Sequence, residues 1–391
     1  MDPIRIALVH HKQPENTLLQ HGEQLAHLLF GAHSYCITAH NPEVLLFISG
    51  GSEQQAVSYC KKNNFPLLLA GSENNAFAAA TEVLSYCHEK KIWAKRFSTN
   101  HPDAINEILE YIWVIRQLTA LRNQTLGLIG DVSDWLVNSI VAPRRLEQVT
   151  GMKIKHFPWH TLPDPEKETC PENFLAAVTH APFQSIYGSG SLYGLLKSLI
   201  LTHQLAGVSV ECFSLVTKKQ ITACLPLALL NAEGIPAACE GDMISLAGMM
   251  LIKAVTGHLP WMANIVMVQD NEIRFAHCTI PLNMPESQII TTHYETGMGT
   301  AVKGRLQQGN YTLVRFNSPL TRVFIAEAVT KAAPEIPEAC RTQLVLELNK
   351  SEAQLLMDKP LGNHHLIFPG HYAHRLQKMA EVLNLATNFS S

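Results

Sequence analysis

Hydrophobic positions in the first third of the chain follow two periods. Residues 4–9, 44–48 and 66–70 are short continuous apolar runs of the kind that form buried strands, whereas 54–63, 75–90 and 104–121 carry apolar residues at helical spacing. Strand–helix alternation on this scale predicts parallel βαβ units in an open sheet. The turns Gly50-Gly51-Ser52 and Gly71-Ser72-Glu73-Asn74 each follow a predicted strand and precede a predicted helix. In such a sheet they would lie at the carboxyl edge, where ligands bind, though a turn with a helix cap is the simpler and preferred account of each.

A second α/β segment begins at 125–135. Its run Leu126-Gly127-Leu128-Ile129-Gly130-Asp131 lacks the G-x-G-x-x-G spacing of a dinucleotide loop, so it reads as a strand that delivers Asp131 and Ser133 to a sheet edge. Further strands are predicted at 153–158, 208–213 and 235–239, with long helices at 191–204 and 241–256. Beyond Pro260 the texture changes. Short runs at 265–269, 273–280, 289–293, 311–316, 344–348 and 366–368, separated by turns, predict a mainly antiparallel sheet or barrel, closed by a helix over 371–383. The expected fold class is α/β: two Rossmann-like open parallel-sheet domains (1–122 and 123–260), followed by a mainly antiparallel, barrel-like β domain (261–391).

Composition narrows the function. A chain of 391 residues exceeds what one core usually serves, and 47% hydrophobic with 16% charged residues supports packed cores rather than disorder. With 30 basic and 33 acidic residues and no basic stripe, neither nucleic acid nor an anionic membrane is an expected partner. No apolar stretch reaches the roughly 20 residues of a membrane span. The N-terminus lacks a signal peptide's basic start and long apolar core. Nine cysteines without a C-x-x-C pair predict free thiols in a reducing, cytoplasmic setting.

The chemistry is concentrated in ionisable residues set inside apolar segments, where they are costly to bury unless paired or bound to metal. Glu240 and Asp242 stand in Ile-Pro-Ala-Ala-Cys-Glu-Gly-Asp-Met, His277 in Arg-Phe-Ala-His-Cys-Thr-Ile-Pro, and His364 and His365 in Gly-Asn-His-His-Leu-Ile-Phe. Asp242 has the position of a helix N-cap. Glu240, at the end of a buried strand, is a ligand, a base or half of a salt bridge. His277 is a ligand or a core histidine bonded to a carbonyl. Adjacent on a strand, His364 and His365 point to opposite faces, so at most one of them faces a given site. His293 and Glu295, two apart, would share a face, and Arg341 at a strand start could clamp a carboxylate or a sugar hydroxyl. A Glu/His donor set suits Mn2+ or Mg2+, with Co2+ or Zn2+ as alternatives. Cys239 and Cys278 point away if their strands stay regular, which disfavours a cysteine–histidine zinc site.

These segments resemble the L-fucose isomerase/L-arabinose isomerase superfamily, most closely its shorter fucose-isomerase-like group. Glu240-Gly241-Asp242 with its apolar helix ending at Thr256-Gly257, Ala276-His277-Cys278 and Gly362-Asn363-His364-His365 match motifs in order. Asp131–Leu136, His293–Gly297 and Cys340–Gln343 add to the match. The resemblance implies metal-dependent aldose–ketose isomerisation through an enediol, on a sugar or polyol. It also implies a homo-oligomer, trimer or hexamer, with sites between subunits. Glu240, His277 and His365 would hold Mn2+, with Asn264 as a fourth ligand. Glu240, Asp242 and Glu295 would be the catalytic carboxylates. His293, Arg341, Asn363 and His364 would contact substrate. One departure stands out: Asn264 takes the place of the family's second metal-binding acid, leaving Asp242, Glu295 or Asp270 to replace it. This keeps open an epimerase or lyase on a polyhydroxylated substrate, or a non-catalytic sugar-binding relative.

Overall fold

The apolar runs of the first third become the strands of one parallel sheet. In the computed structural model, which describes residues 2–178 and 183–388, β1 (Ile4–Val9), β2 (Tyr35–Ile37), β3 (Val44–Phe47), β4 (Leu67–Ala70) and β5 (Lys95–Ser98) pair in the order β2-β1-β3-β4-β5. Helices α1 (Asn16–Phe30), α2 (Glu53–Tyr59), α3 (Ala76–Glu89) and α4 (Ala104–Ala120) intervene or follow. Every residue of β3 and β4 is buried, as in central strands covered on both faces. Both glycine turns reach the carboxyl edge and, with His11 and Gln13, line an open hollow of about 990 Å3. This sheet belongs to the unit Met1–Arg116, and Gln117–Ser391 form a second unit.

The second unit opens with β6 (Thr125–Ile129), β7 (Lys153–Phe157), β8 (Leu205–Val210) and β9 (Ala237–Cys239), a parallel sheet in the order β7-β6-β8-β9. Helices α5 (Pro143–Thr150), α6 (Glu172–Ala177), α7 (Phe183–His203), α8 (Phe213–Lys219) and α9 (Cys224–Ala232) lie between these strands, and α10 (Met243–Thr256) follows them. The strand predicted over 208–213 is β8, displaced toward the N-terminus because Cys212 already caps α8.

The C-terminal part is antiparallel. β10 (Trp261–Gln269) and β11 (Glu272–His277) form a hairpin, and β12 (Ser287–Thr291) and β13 (Ala301–Arg305) form another, separate one. β14 (Asn310–Phe316), β15 (Arg322–Lys331), β16 (Thr342–Glu347) and β17 (His364–Pro369) join the first hairpin in the order β14-β17-β10-β11-β16-β15, and pairing of β14 with β15 closes a six-stranded barrel. Helices α11 (Lys350–Asp358) and α12 (Ala373–Val382) and the short β18 (Ala386–Thr387) complete the unit. The chain thus has the expected architecture of parallel-sheet α/β layers followed by an antiparallel barrel. Among the described residues no helix is long and apolar enough to cross a membrane.

α10 joins the two layers. From Met243 to Ile252 every residue is buried, as in a helix with apolar contacts all round. It packs on β8 and β9 of the parallel sheet and on β14 and β17 of the barrel. Gly248 permits this approach, since a Cβ there would lie 2.6 Å from Leu366 Cδ1 and 3.0 Å from Phe316 Cδ2. The N-terminus of α10 is therefore held against the barrel, and the site forms there.

Candidate metal centre

The turn between β9 and α10 is strained. Glu240 and Gly241 are both left-handed, with φ of 62° and 68°. Glycine is required at 241, where a Cβ would overlap the Asp131 carbonyl oxygen and lie 2.9 Å from Val132 Cα. At Glu240 the same backbone region costs about 1 kcal/mol or more. It is held by the Ser133 N–H, which donates to Glu240 O at 3.0 Å, and by the Asp242 N–H, which donates to Cys239 O at 3.1 Å. The loop after β6 thus meets the turn after β9 at the carboxyl edge, the usual ligand-binding edge of such sheets.

The barrel supplies two imidazoles. Ligand atoms of Glu240, His277 and His364 all lie within 4.8 Å of one another, and all three residues are buried. His277 Nε2 is 3.9 Å from Glu240 Oε1, and His364 Nε2 is 3.6 Å from Glu240 Oε2. These gaps are too long for hydrogen bonds. They fit ligands that share one ion through bonds of about 2.1 Å. The other ring nitrogens are tied back: His277 Nδ1 is 2.9 Å from Thr279 Oγ1, and His364 Nδ1–H donates to Asp242 Oδ2 at 2.9 Å. A histidine whose second nitrogen is fixed by a carboxylate or hydroxyl is the usual second layer of a metal site. Burial alone would raise the Glu240 carboxyl, but the His277 and His364 imidazoles outweigh it and hold it well below the usual carboxylate range. Burial likewise acts to lower His364, yet Asp242 and Glu240 push it up to about 9. The two carboxylates thus favour the protonated form of His364. The donor set, its orientation and this charge balance fit a divalent cation that displaces the proton.

Asp242 acts behind the group rather than in it. It is fully buried and caps α10, with Oδ1 accepting from the Ser245 N–H at 2.8 Å. Oδ2 accepts from Ser245 Oγ, His364 Nδ1 and Arg315 Nη1 at 2.8, 2.9 and 3.3 Å. Fully buried and engaged on both oxygens, Asp242 holds its neighbours in place rather than offering the open carboxylate expected above.

The structure also places the histidine pair the other way round from the expectation. Leu366 meets α10 and His364 shares its strand face, so His364 turns to Asp242 while His365 turns away. His365 packs on the rings of Phe275 and Phe324, and its Nδ1 lies 2.9 Å from Asn363 O. The histidine grouped with Glu240 and His277 is therefore His364, where His365 was expected. Asn264 pairs in register with His364, but its Oδ1 accepts from Asn363 Nδ2 at 2.9 Å. These two amides brace each other beside the group.

The remaining candidates scatter. β12 ends before His293, and the chain turns back on itself with Gly297 at φ 66°, so the predicted shared strand face does not exist. Buried His293 packs edge-on against Phe213, while Glu295 is exposed. Arg341 spends its guanidinium on Thr292 O and Oγ1, at 2.8 and 3.2 Å. Asp270 is exposed in the β10–β11 turn. Cys239 faces Cys212, with the sulfurs 3.6 Å apart, and Cys278 clusters with Cys224, so neither thiol joins the group. Sequence reasoning missed Trp135, whose Nε1–H donates to Glu240 Oε2 at 2.6 Å although the residue is 51% exposed. Its ring rests edge-on against Phe213 at 4.6 Å, which continues to His293.

His365 gives a test of stability against pH. Burial, the dominant cause, pushes its pKa down to about 3. The unfolded chain titrates near 6.5, so below that pH it binds a proton that the folded protein refuses. Stability from this residue is complete above about pH 6.5 and falls by about 1.4 kcal/mol per unit as pH drops toward 3. Denaturant titrations at pH 6.5 and 5.5 should show that loss in the wild type and little of it in His365→Leu. Equal losses in both would contradict this assignment.

A scan against protein-family models finds no match, and a search of curated proteins finds none similar to this chain.

Proposed function

We propose that this chain is a metal-dependent enzyme acting on a polyhydroxylated small molecule, and that its reaction is aldose–ketose isomerisation. The observation that carries this reading is the buried Glu240, His277 and His364 group, with Nε2 atoms facing one carboxylate at a sheet edge. The ordered motifs shared with the fucose and arabinose isomerases support the substrate class. Glu240, His277 and His364 would hold Mn2+, with Mg2+, Co2+ or Zn2+ as alternatives. A bound divalent ion would polarise neighbouring carbonyl and hydroxyl oxygens of the substrate.

The chain's own residues do the rest. Glu240 stays charged at neutral pH and is available to take the proton from C2 of an aldose. Returned to C1 on the same face of a planar enediol, that proton completes the exchange at carbon, while the O2 hydroxyl proton passes to O1 in a separate transfer. Trp135 donates to Glu240 Oε2 and fixes the carboxylate's orientation at the group. Asp242 and Thr279 keep the imidazoles turned to the group.

A second reading, a metal-dependent epimerase or lyase on the same substrate class, has its own support. Asp242 is fully engaged, Glu295 is turned to solvent, and position 264 carries an amide, which leaves Glu240 without a paired acid. Incubation with Mn2+ and a panel of aldoses and ketoses in D2O, followed by NMR, separates the two. Isomerisation puts deuterium at C1 or C2 of an aldose–ketose pair, whereas a lyase yields fragments and an epimerase a single inverted centre. Glu240→Gln should lower turnover by about 100-fold or more while the fold persists. Undiminished turnover in that variant would sink the assignment.

A further inference from the structure

A second polar site lies apart from the metal group. The β12–β13 hairpin, the end of β15 and strands β11 and β16 enclose a pocket of about 500 Å3. Arg274, Lys303, Arg305 and Lys331 line it, together with Gln343 and one acid, Glu335. Arg274 is only 4% exposed. Its Nη1–H donates to Gln343 Oε1 at 3.1 Å, and its Nε has no partner. Gln343 is itself fixed by the Ile336 N–H and the Ile336 carbonyl, so it holds the guanidinium in place without neutralising it. Lys303 pairs with Glu335 and Lys331 with Glu347. Among the described residues, Arg274 and Arg305 have no carboxylate within ion-pair distance.

A buried guanidinium without an anion is strongly disfavoured, so its natural complement is an anion brought from outside. Arginine's planar fork matches the oxygens of a phosphoryl group, and flanking lysines add charge to the same end. The pocket is larger than a bare ion needs and falls within the range of small-ligand sites. Arg274 and His277, three apart on β11, leave opposite faces of the strand, which separates this pocket from the metal group.

We propose that this pocket binds the phosphoryl group of a small metabolite, with Arg274 as its buried anchor and Arg305 at its mouth. The proposal does not depend on the isomerase reading. Isothermal titration of the metal-free full chain with inorganic phosphate and with pyrophosphate, at fixed ionic strength, tests it. Saturable binding is expected, tighter for pyrophosphate, and weakened about tenfold or more in Arg274→Gln. Because Arg274 is buried, exposed Arg305→Gln provides a second variant whose fold is not at risk, and it should weaken binding in the same direction. Mn2+ binding should be unchanged in both. Non-saturable titrations, succinate binding tighter than phosphate, or unaltered phosphate affinity in Arg305→Gln would each overturn the proposal.

Discussion

Replacing Asp242 with alanine is expected to destabilise the metal-free protein by about 3–5 kcal/mol, the range for removing one partner of a buried ion pair. Loss of the α10 cap contributes about 1 kcal/mol of this. The larger share comes from Arg315, which is 1% exposed and whose nearest anion is Asp242 Oδ2 at 3.3 Å. Arg315 Nε already lacks a partner, and Ser139 and Ser245 offer only hydroxyl oxygens to the other guanidinium nitrogens. His364 would lose its Nδ1 acceptor at the same time, so metal affinity should drop by about 10–100-fold. Denaturant unfolding at pH 7 measures the first effect and a metal titration the second. Asp242→Asn, which keeps the cap but not the charge, should fall between the wild type and alanine. A loss below about 1.5 kcal/mol in Asp242→Ala would show that the residue is merely a cap.

The second large effect distinguishes neighbours. His364→Ala removes a donor whose Nε2 faces Glu240, so divalent-ion affinity should fall by more than the 10–100-fold typical of outer-layer partners. His365→Ala empties space between Phe275 and Phe324 and should lower stability by about 2 kcal/mol or more while leaving the metal in place. Paired titrations of the two variants, with unfolding curves alongside, read both quantities. Equal loss of metal from the two would contradict the strand-face assignment.

These two residues also show how far the sequence reaches. Alternation along a strand required that one of the pair face the site and the other not. Which one depends on how β17 lies against α10, and that contact sets Leu366 against Gly248, which is far from either histidine in sequence. Glu240 and His277 were legible because charge inside apolar runs is informative on its own. Asp242 was legible as a cap, but its bonds to Arg315 and His364 are long-range and leave no local trace. The pairing of His293 with Glu295 failed because Gly297 and Gly299 bend the chain where period-two spacing had implied a strand. Trp135 stood within the matching Asp131–Leu136 segment but was not singled out, since its bond to Glu240 depends on the loop after β6 meeting the turn after β9. The strands of the parallel sheets were legible where apolar runs are continuous, as in β3 and β4. β5, Lys-Arg-Phe-Ser with one buried residue, shows no such run.

The central claim is that Glu240, His277 and His364 bind one divalent cation. Anomalous diffraction from a crystal soaked in Mn2+ tests it most directly. The account predicts one peak per chain, about 2.0–2.3 Å from Glu240 Oε1, His277 Nε2 and His364 Nε2. A peak ligated by His365, a peak elsewhere in the unit, or no peak at saturating Mn2+ would contradict it.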